Sequence, residues 1–316
     1  MNDSASSTKG KEIAPITICI PVFNREEIVK RTLESVKAQT YRPLRVILVD
    51  NNSSDGTLST LQEWKEANQA ENFMIDVLVQ PIPGACAARN LALDNVESDW
   101  TLFFDSDDTM PSNHIETIVD FINSPRGRKA DVIGWSRRIH FQDGTSVEKS
   151  FTTRNPLFNN IAHASFATQG YLAKTELFRK AGKWNKVLKR GQDIELGNRL
   201  LRLKPKLAFI ENHYVDVFDQ PESISNKQSV HSLIESFEII RSNFPNKKRH
   251  WVDLQILLRV ALAERKRGVS IGYKHEIFAR VHSWRKMLFY CYYRYQKAGF
   301  RGASRIYELT HFYNMC

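Results

Sequence analysis

The chain is poor in cysteine, and its few cysteines do not form a recognisable site. Cys19, Cys86, Cys291 and Cys316 are scattered over 316 residues, without a Cys-x-x-Cys pair. This usage predicts a protein of a reducing compartment, and it argues against a zinc site or a disulfide framework.

Long apolar runs are also missing. We find no run that approaches the roughly 18 apolar residues of a membrane-spanning helix. Residues 1–13 are mostly polar and lack the apolar centre of a signal peptide, so we expect a disordered tail there. These features predict a cytoplasmic protein, at most peripheral on the inner face of the membrane.

Acidic residues are scarce in one part of the chain. The net charge is +10, but residues 227–316 contain 17 Lys and Arg against 6 Asp and Glu, whereas residues 1–226 contain 28 and 29. A nearly neutral body followed by a strongly basic segment indicates an anionic partner. A membrane surface fits that role, while the absence of a recognised binding motif makes nucleic acid an unexpected partner.

Strand and helix patterns alternate over the first 110 residues. Such alternation predicts an α/β fold with a mostly parallel sheet and helices on both faces. Ligands of these sheets bind outside the carboxyl ends of the strands. The predicted strands cover residues 16–20, 45–49, 74–80 and 100–104, and the predicted helices cover residues 25–39, 57–67 and 85–95.

The pattern changes after residue 110. We predict a hairpin around Asp143-Gly144, and a domain boundary near Pro221 that separates residues 14–226 from a basic helical region, 227–316. The main domain would divide into halves at residues 14–110 and 111–226. Within the second half, helices are predicted at 115–122, 174–181 and 192–203, and a short strand at 207–210.

Three carboxylates follow the fourth predicted strand directly. Asp105, Asp107 and Asp108 end an apolar run, which is costly unless a cation is bound nearby. Mg²⁺ or Mn²⁺ holding a phosphate would meet that need. Asp50, at the end of the second strand, could accept from a base or a ribose hydroxyl, and Arg89 could pair with phosphate. Together these side chains indicate a nucleoside diphosphate site.

Four motifs in order carry a resemblance to a known family. The series IPVFNRE, ILVDNNSSDGT, PGACAARNLAL and FFDSDD resembles the inverting family 2 glycosyltransferases. The resemblance covers roughly residues 14–226 and implies a GT-A catalytic domain. It implies metal-dependent transfer of a sugar from a nucleotide-diphospho-sugar, and a UDP-sugar is the expected donor because it is the commonest in this family. The acceptor would be a hydroxyl of a glycan or lipid-linked molecule in surface polysaccharide or glycolipid synthesis.

The resemblance also assigns residues to roles. Asp193 falls where the family has its general base, although Gln192 replaces the acidic residue that often precedes it. His213 comes early for the further metal histidine of some members, so the third protein ligand stays open. Asp105 and Asp107 would hold Mg²⁺ or Mn²⁺, and the nucleotide would be bound by Pro21, Phe23, Glu26, Asp50, Arg89 and Ser106.

Other interpretations stay open beside this one. An Asp-rich turn can simply cap a helix, and among the three carboxylates Asp108 best fits a structural role. Glu26 could serve only to start the first helix, and residues 227–316 could be a solvated helical domain. Two other functions are a sugar-phosphate nucleotidyltransferase, disfavoured because residues 21–26 lack glycine, and a catalytically decayed adaptor at the membrane surface.

Overall fold

The computed structural model describes residues 15–220, 230–268 and 270–300. The predicted tail and the boundary segment 221–226 lie outside the described residues. The strands are Ile16–Val22 (β1), Leu44–Asp50 (β2), Phe73–Val79 (β3), Trp100–Phe103 (β4), Val132–His140 (β5), Ser146–Ser150 (β6), Tyr171–Lys174 (β7) and Leu207–Phe218 (β8). The helices are Ile28–Lys37 (α1), Thr57–Asn68 (α2), Ala85–Asp94 (α3), His114–Asn123 (α4), Pro156–His163 (α5), Thr175–Lys180 (α6), Gln192–Arg202 (α7), Val230–Ser242 (α8), Arg249–Arg267 (α9), Tyr273–Arg280 (α10) and Ser283–Lys297 (α11).

One eight-stranded sheet organises the N-terminal part of the chain. Its order is β3-β2-β1-β4-β7-β5-β6, and β8 pairs with β5. The four strands β3, β2, β1 and β4 are parallel, whereas β7 runs antiparallel to both of its neighbours. This arrangement confirms the predicted mostly parallel α/β sheet and brings the ends of β1, β2 and β4 to one edge.

Burial explains why these elements form. All seven residues of β2 except Arg45 are buried, as expected for a central strand covered on both faces. Helix α1 buries Val29, Leu33 and Val36, which lie four and three residues apart and therefore share one face. These side chains join a core that also contains Trp135 of β5.

The structure differs from the sequence prediction in three elements. Helix α5 and strand β7 were not predicted, and β8 continues to Phe218 instead of ending at residue 210. Around Asn212, which has a left-handed φ of 54°, the pairing of β8 with β5 shifts register. This irregularity interrupts the alternation of polar and apolar residues, so the second half of β8 is not visible as a strand in the sequence.

The chain divides into two compact units. Within the described residues, the first comprises 15–153, 166–186 and 199–220, and the second comprises 154–165, 187–198, 230–268 and 270–300. The second unit therefore takes two segments that the sequence analysis assigned to the half 111–226. The reason is a separate apolar core, in which Phe158, Ile161 and Ile194 are buried with residues of α8 and α9.

None of the helices in the described part of the chain combines the length and the apolar character needed to cross a lipid bilayer.

Candidate functional site

Asp105 lies in the loop after β4 and is held from two sides. Arg89 of α3 donates from Nη2 to Asp105 Oδ1 over 2.7 Å, and Gln169 donates from Nε2 to Asp105 Oδ2 over 2.6 Å. The guanidinium of Arg89 also lies over the ring of Trp184. Arg89 thus orients this carboxylate, while its predicted contact with a nucleotide phosphate stays a prediction.

Asp107 lies in the same loop, in surroundings that disfavour the negative charge of its carboxylate. Burial and the neighbouring carboxylate of Asp105 raise the pKa of Asp107 to about 6, although Arg25 opposes this shift. The nearest Arg25 nitrogen is 3.9 Å from Asp107 Oδ2. The side chains of Asp105 and Asp107 remain 28% and 21% exposed, so both can reach a ligand.

The third carboxylate of the loop has a structural position. Asp108 is buried, accepts from the backbone N–H of Phe218 over 3.0 Å and accepts from Gln169 over 2.5 Å. Burial and the nearby charges of Asp107 and Asp105 raise its pKa well above the usual range. Asp108 therefore connects the loop to the end of β8 by a hydrogen bond, in agreement with the structural role that the sequence analysis considered for it.

The residues present fit a divalent cation. Asp105 and Asp107 supply hard carboxylate oxygens, which suit Mg²⁺ and Mn²⁺. A bound cation would also offset the burial and the repulsion by Asp105 that together raise the pKa of Asp107. Within the described residues, these carboxylates belong to no cluster of three or more protein ligands, so water and donor phosphates would complete the coordination.

The end of β2 presents a buried acceptor. Asp50 accepts from the backbone N–H of Ser53 over 3.1 Å through Oδ2. Its Oδ1 atom is buried and has no hydrogen-bond partner among the residues that the structure describes. A buried acceptor of this kind is costly without a ligand, which supports the prediction that Asp50 binds a donor group of a nucleotide.

Asn51, next to Asp50, connects two loops and was missed in the sequence analysis. Its side-chain nitrogen donates to the backbone oxygens of Gln80 and Ile82 over 3.0 and 2.7 Å, and its oxygen accepts from Gly84 N–H over 2.7 Å. Asn51 thereby sets the path of the chain from β3 into α3. Its position at a strand end was the signal that could have identified it.

The predicted nucleotide residues near the end of β1 are Pro21, Phe23 and Glu26. Pro21 belongs to β1 itself, whereas Phe23 and Glu26 follow the strand and Phe23 is exposed. Ser106, the remaining predicted nucleotide residue, is buried in the loop after β4, and its contact with a nucleotide stays a prediction. Glu26 accepts from the backbone N–H of Gly56 over 3.1 Å, and a Cβ on Gly56 would lie 2.5 Å from its carboxyl carbon. Glu26 therefore has a structural contact with the loop before α2, while its role toward a nucleotide stays a prediction.

Asp193 lies in the second unit, in the first turn of α7. The side chain is half-buried, whereas Glu195, two residues further along α7, is buried. Gln192 donates to the backbone oxygen of Leu188 over 2.9 Å, so it fastens the loop before the helix. The assignment of Asp193 as the base stays a prediction.

His213 occupies the core of the first unit. Its Nε2 lies 2.6 Å from Nδ1 of His114, and the two rings are stacked with centroids 4.7 Å apart. The ring of Trp135 packs edge-on against His114. Burial lowers the pKa of both histidines. This environment agrees with a structural role for His213 rather than metal binding.

The comparison with known families decides the identity of this chain. The model of Glycosyl transferase family 2 matches residues 17–180, which is more than half of the 316 residues. The chain belongs to this family.

Individual family relatives match shorter parts of their own length. The chain is 31% identical over 103 residues to Glycosyltransferase GlyA of Streptococcus pneumoniae, covering 33% of this chain and 14% of that relative. It is 28% identical over 134 residues to the putative teichuronic acid biosynthesis glycosyltransferase TuaG of Bacillus subtilis, covering 42% and 51%. The matched segments thus span 14% and 51% of these two relatives.

A solved structure matches nearly the whole chain. The structure of S. aureus TarS 1–349 in complex with UDP-GlcNAc is 18% identical in sequence and has a TM-score of 0.65. The match covers 94% of this chain and 92% of the TarS chain. This likeness concerns the fold. Together with the observed sheet, it confirms the predicted GT-A architecture.

Two further residues beside the carboxylates were missed in the sequence analysis. Gln169 precedes β7, an unpredicted strand, and bridges Asp105 and Asp108. Arg31 of α1 donates to the backbone oxygen of Asp107 and lies over the ring of Phe218, 3.8 Å from its centroid. Both act across more than 60 residues of sequence, so no local pattern indicates them.

Proposed function

We propose that this family 2 protein is a metal-dependent inverting glycosyltransferase that moves a sugar from a UDP-sugar to a hydroxyl group. The observation that carries the proposal is the partly exposed pair Asp105 and Asp107, held in orientation by Arg89, Gln169 and Arg25 at the end of β4. Two adjacent carboxylates with one raised pKa are suited to a divalent cation and, through it, to a diphosphate.

The nucleoside part of the donor would bind beside this pair, at the ends of β1 and β2. Asp50 offers a buried oxygen for a base N–H or a ribose hydroxyl, and exposed Phe23 offers an aromatic face. The choice of UDP is supported by the fold shared with TarS, which binds UDP-GlcNAc.

Asp105 and Asp107 would hold Mg²⁺ or Mn²⁺, which when bound neutralises negative charge on the diphosphate leaving group. Asp193 would accept the proton of the acceptor hydroxyl, whose oxygen forms a bond to the anomeric carbon as the bond to the diphosphate breaks. Attack from the side opposite the leaving group inverts the anomeric configuration. Arg25 and Arg89 would keep the carboxylates oriented throughout.

The acceptor is proposed to be a glycan or a lipid-linked molecule in surface polysaccharide or glycolipid synthesis. The likeness to TuaG, a putative teichuronic acid biosynthesis glycosyltransferase, supports this class. An anionic membrane surface is likewise proposed as a partner of residues 227–316 because of their excess of Lys and Arg.

A thermal-shift panel tests donor and metal together. UDP, GDP, dTDP and CDP are each added with and without Mn²⁺, because a ligand of the native state raises the melting temperature. We expect a metal-dependent rise with UDP that is lost in Asp107→Asn and retained in Asp120→Asn, a change at an exposed position of α4. A panel without any shift would contradict the transferase and favour the decayed adaptor.

Transfer itself tests the base. With a UDP-sugar that gives a shift, Asp193→Asn should abolish sugar transfer and keep the nucleotide-induced shift. Wild-type turnover in Asp193→Asn would show that another residue takes the proton.

A further inference from the structure

Helix α11 has one clearly buried face. Phe289, Tyr292 and Tyr293 are buried in the core of the second unit together with residues of α9. Tyr293 also donates from its hydroxyl to Glu264 of α9. These contacts determine which side of α11 points away from the protein.

The opposite side of α11 exposes large side chains. Met287 is 76% exposed and Tyr290 is 53% exposed, and Cys291 and Arg294 are exposed as well. The spacing 287, 290, 291 and 294 places all four on one helical stripe, opposite the buried tyrosines. Single exposed apolar residues are ordinary, but here several share one face.

The charge of this helix has one sign. All four charged residues of Ser283–Lys297 are basic. Lys297 is paired with Glu264 over 2.9 Å, whereas exposed Lys286 and Arg294 form no ion pair within the described residues. The exposed side of α11 therefore presents positive charge that the described part of the protein does not neutralise.

A third observation concerns the residues just after the helix. Phe300 is 58% exposed and stacks on Tyr295 near the end of α11, with ring centroids 4.9 Å apart. Aromatic side chains with a polar tip and flanking cations match the headgroup level of a bilayer, where rings are half-immersed and cations meet lipid phosphates.

We propose that the α11 face, defined as Lys286, Met287, Tyr290 and Arg294, docks on the surface of an anionic lipid bilayer. Lys286 and Arg294 pair with lipid phosphates, and Met287 and Tyr290 enter the interface between headgroups and acyl chains. The complementary charge selects a bilayer over an uncharged apolar partner. This docking rests on the membrane partner proposed above for residues 227–316, but it does not depend on the proposed glycosyl transfer.

Vesicle flotation of the full-length protein tests the proposal. Vesicles of phosphatidylcholine alone are compared with vesicles that contain phosphatidylglycerol, at low and high salt. We expect binding only to the anionic vesicles and weaker binding at high salt, because surface charges are screened. Lys286→Gln with Arg294→Gln should weaken binding roughly five-fold per charge removed, as expected for cations near an anionic surface. Met287→Ser with Tyr290→Ser should weaken it at low and high salt alike.

Matched control variants distinguish docking through the α11 face from nonspecific adsorption to vesicles. Val147→Ser removes an exposed apolar side chain of β6, and Arg128→Gln with Lys129→Gln removes two exposed cations after α4. Neither change should alter flotation. Melting temperatures and the UDP-induced shift should be unchanged in the α11 variants, so a failure of docking is distinguishable from a failure of the transferase.

Three outcomes would overturn the proposal. The first is wild-type protein that does not bind phosphatidylglycerol vesicles, and the second is unchanged flotation of the protein that carries both double substitutions in α11. The third is a dimer in gel filtration that Met287→Ser with Tyr290→Ser converts to monomer, which would assign the α11 face to a second copy of the chain.

Discussion

Three neighbouring carboxylates illustrate how environment divides roles at the scale of single residues. Asp105 is neutralised in part by Arg89, Asp107 is partly exposed and has a raised pKa, and Asp108 is buried with backbone and amide donors. Aspartate side chains within one four-residue segment, 105–108, thus have three different environments, and only two of them are suited to binding a ligand. The distances to donors, rather than the residue type, separate these roles.

Asp107→Asn is expected to stabilise the metal-free protein while it abolishes metal binding. Folding raises the pKa of Asp107 from 3.8 to about 6. The stability associated with this group is therefore present below about pH 4 and lost as the pH rises through about 6. At pH 7.5 the melting temperature of Asp107→Asn without metal should exceed that of the wild type, with Asp120→Asn as the neutral control. A lower melting temperature would contradict this account.

Gln169→Leu is expected to destabilise the loop after β4. The substitution removes the amide that donates to Asp105 and to buried Asp108. A buried acceptor that loses its donor costs about 1–3 kcal/mol. Urea denaturation should show a loss of this size, whereas Gln62→Leu, on the exposed side of α2, should be nearly neutral. Equal stability of the two variants would argue against the bridge.

At the scale of elements, β8 ties the site loop to the core. It pairs with β5, contributes Asp216 to a bridge with Thr109, and offers the backbone N–H of Phe218 to Asp108. His213 of the same strand contacts His114 of α4. The carboxylate loop is therefore positioned by a strand that begins about a hundred residues later in the chain.

The histidine pair between β8 and α4 should make stability depend on pH. Burial lowers the pKa of both His114 and His213 below 6.5, so the folded state resists protonation. Their contribution is present above about pH 6.5 and is lost as the pH falls, by at most about 1.4 kcal/mol per pH unit for each proton.

The contribution of this pair to the free energy of unfolding, measured between pH 7.5 and 5.5, should therefore decrease as the pH falls, opposite in sign to the contribution of Asp107. The slope should be shallower in His114→Gln and unchanged in His275→Gln, because His275 is exposed on α10. Equal slopes in both variants would exclude the pair as the cause.

At the scale of the whole molecule, two separate cores hold the chain. One lies around the sheet, and the other is formed by α5, part of α7 and the C-terminal helices. Positive charge is concentrated in the second unit, whereas the predicted donor and metal residues belong to the first.

Two cores predict unfolding in more than one step. Leu48→Ala in the first core and Leu257→Ala in the second each remove a fully buried side chain, at a cost of about 2–5 kcal/mol. In scanning calorimetry we expect the two variants to lower different transitions. A single transition that responds equally to both substitutions would show that the units unfold together.

The sequence alone determined the first half of the fold and the location of the carboxylates. Apolar runs that end in Asp50 and Asp105 are local signals, because a buried strand and the polar loop after it leave a mark on neighbouring residues. For the same reason, the helices of the first 110 residues and the parallel sheet were predicted correctly.

Only the tertiary structure decided which distant residues meet. Gln169 reaches Asp105 from 64 positions away, His213 reaches His114 from 99 positions away, and Phe158 joins the second core. The irregular register near Asn212 concealed the second half of β8. Such contacts follow from strand pairing and packing of the whole chain, and a pattern of neighbouring residues does not encode them.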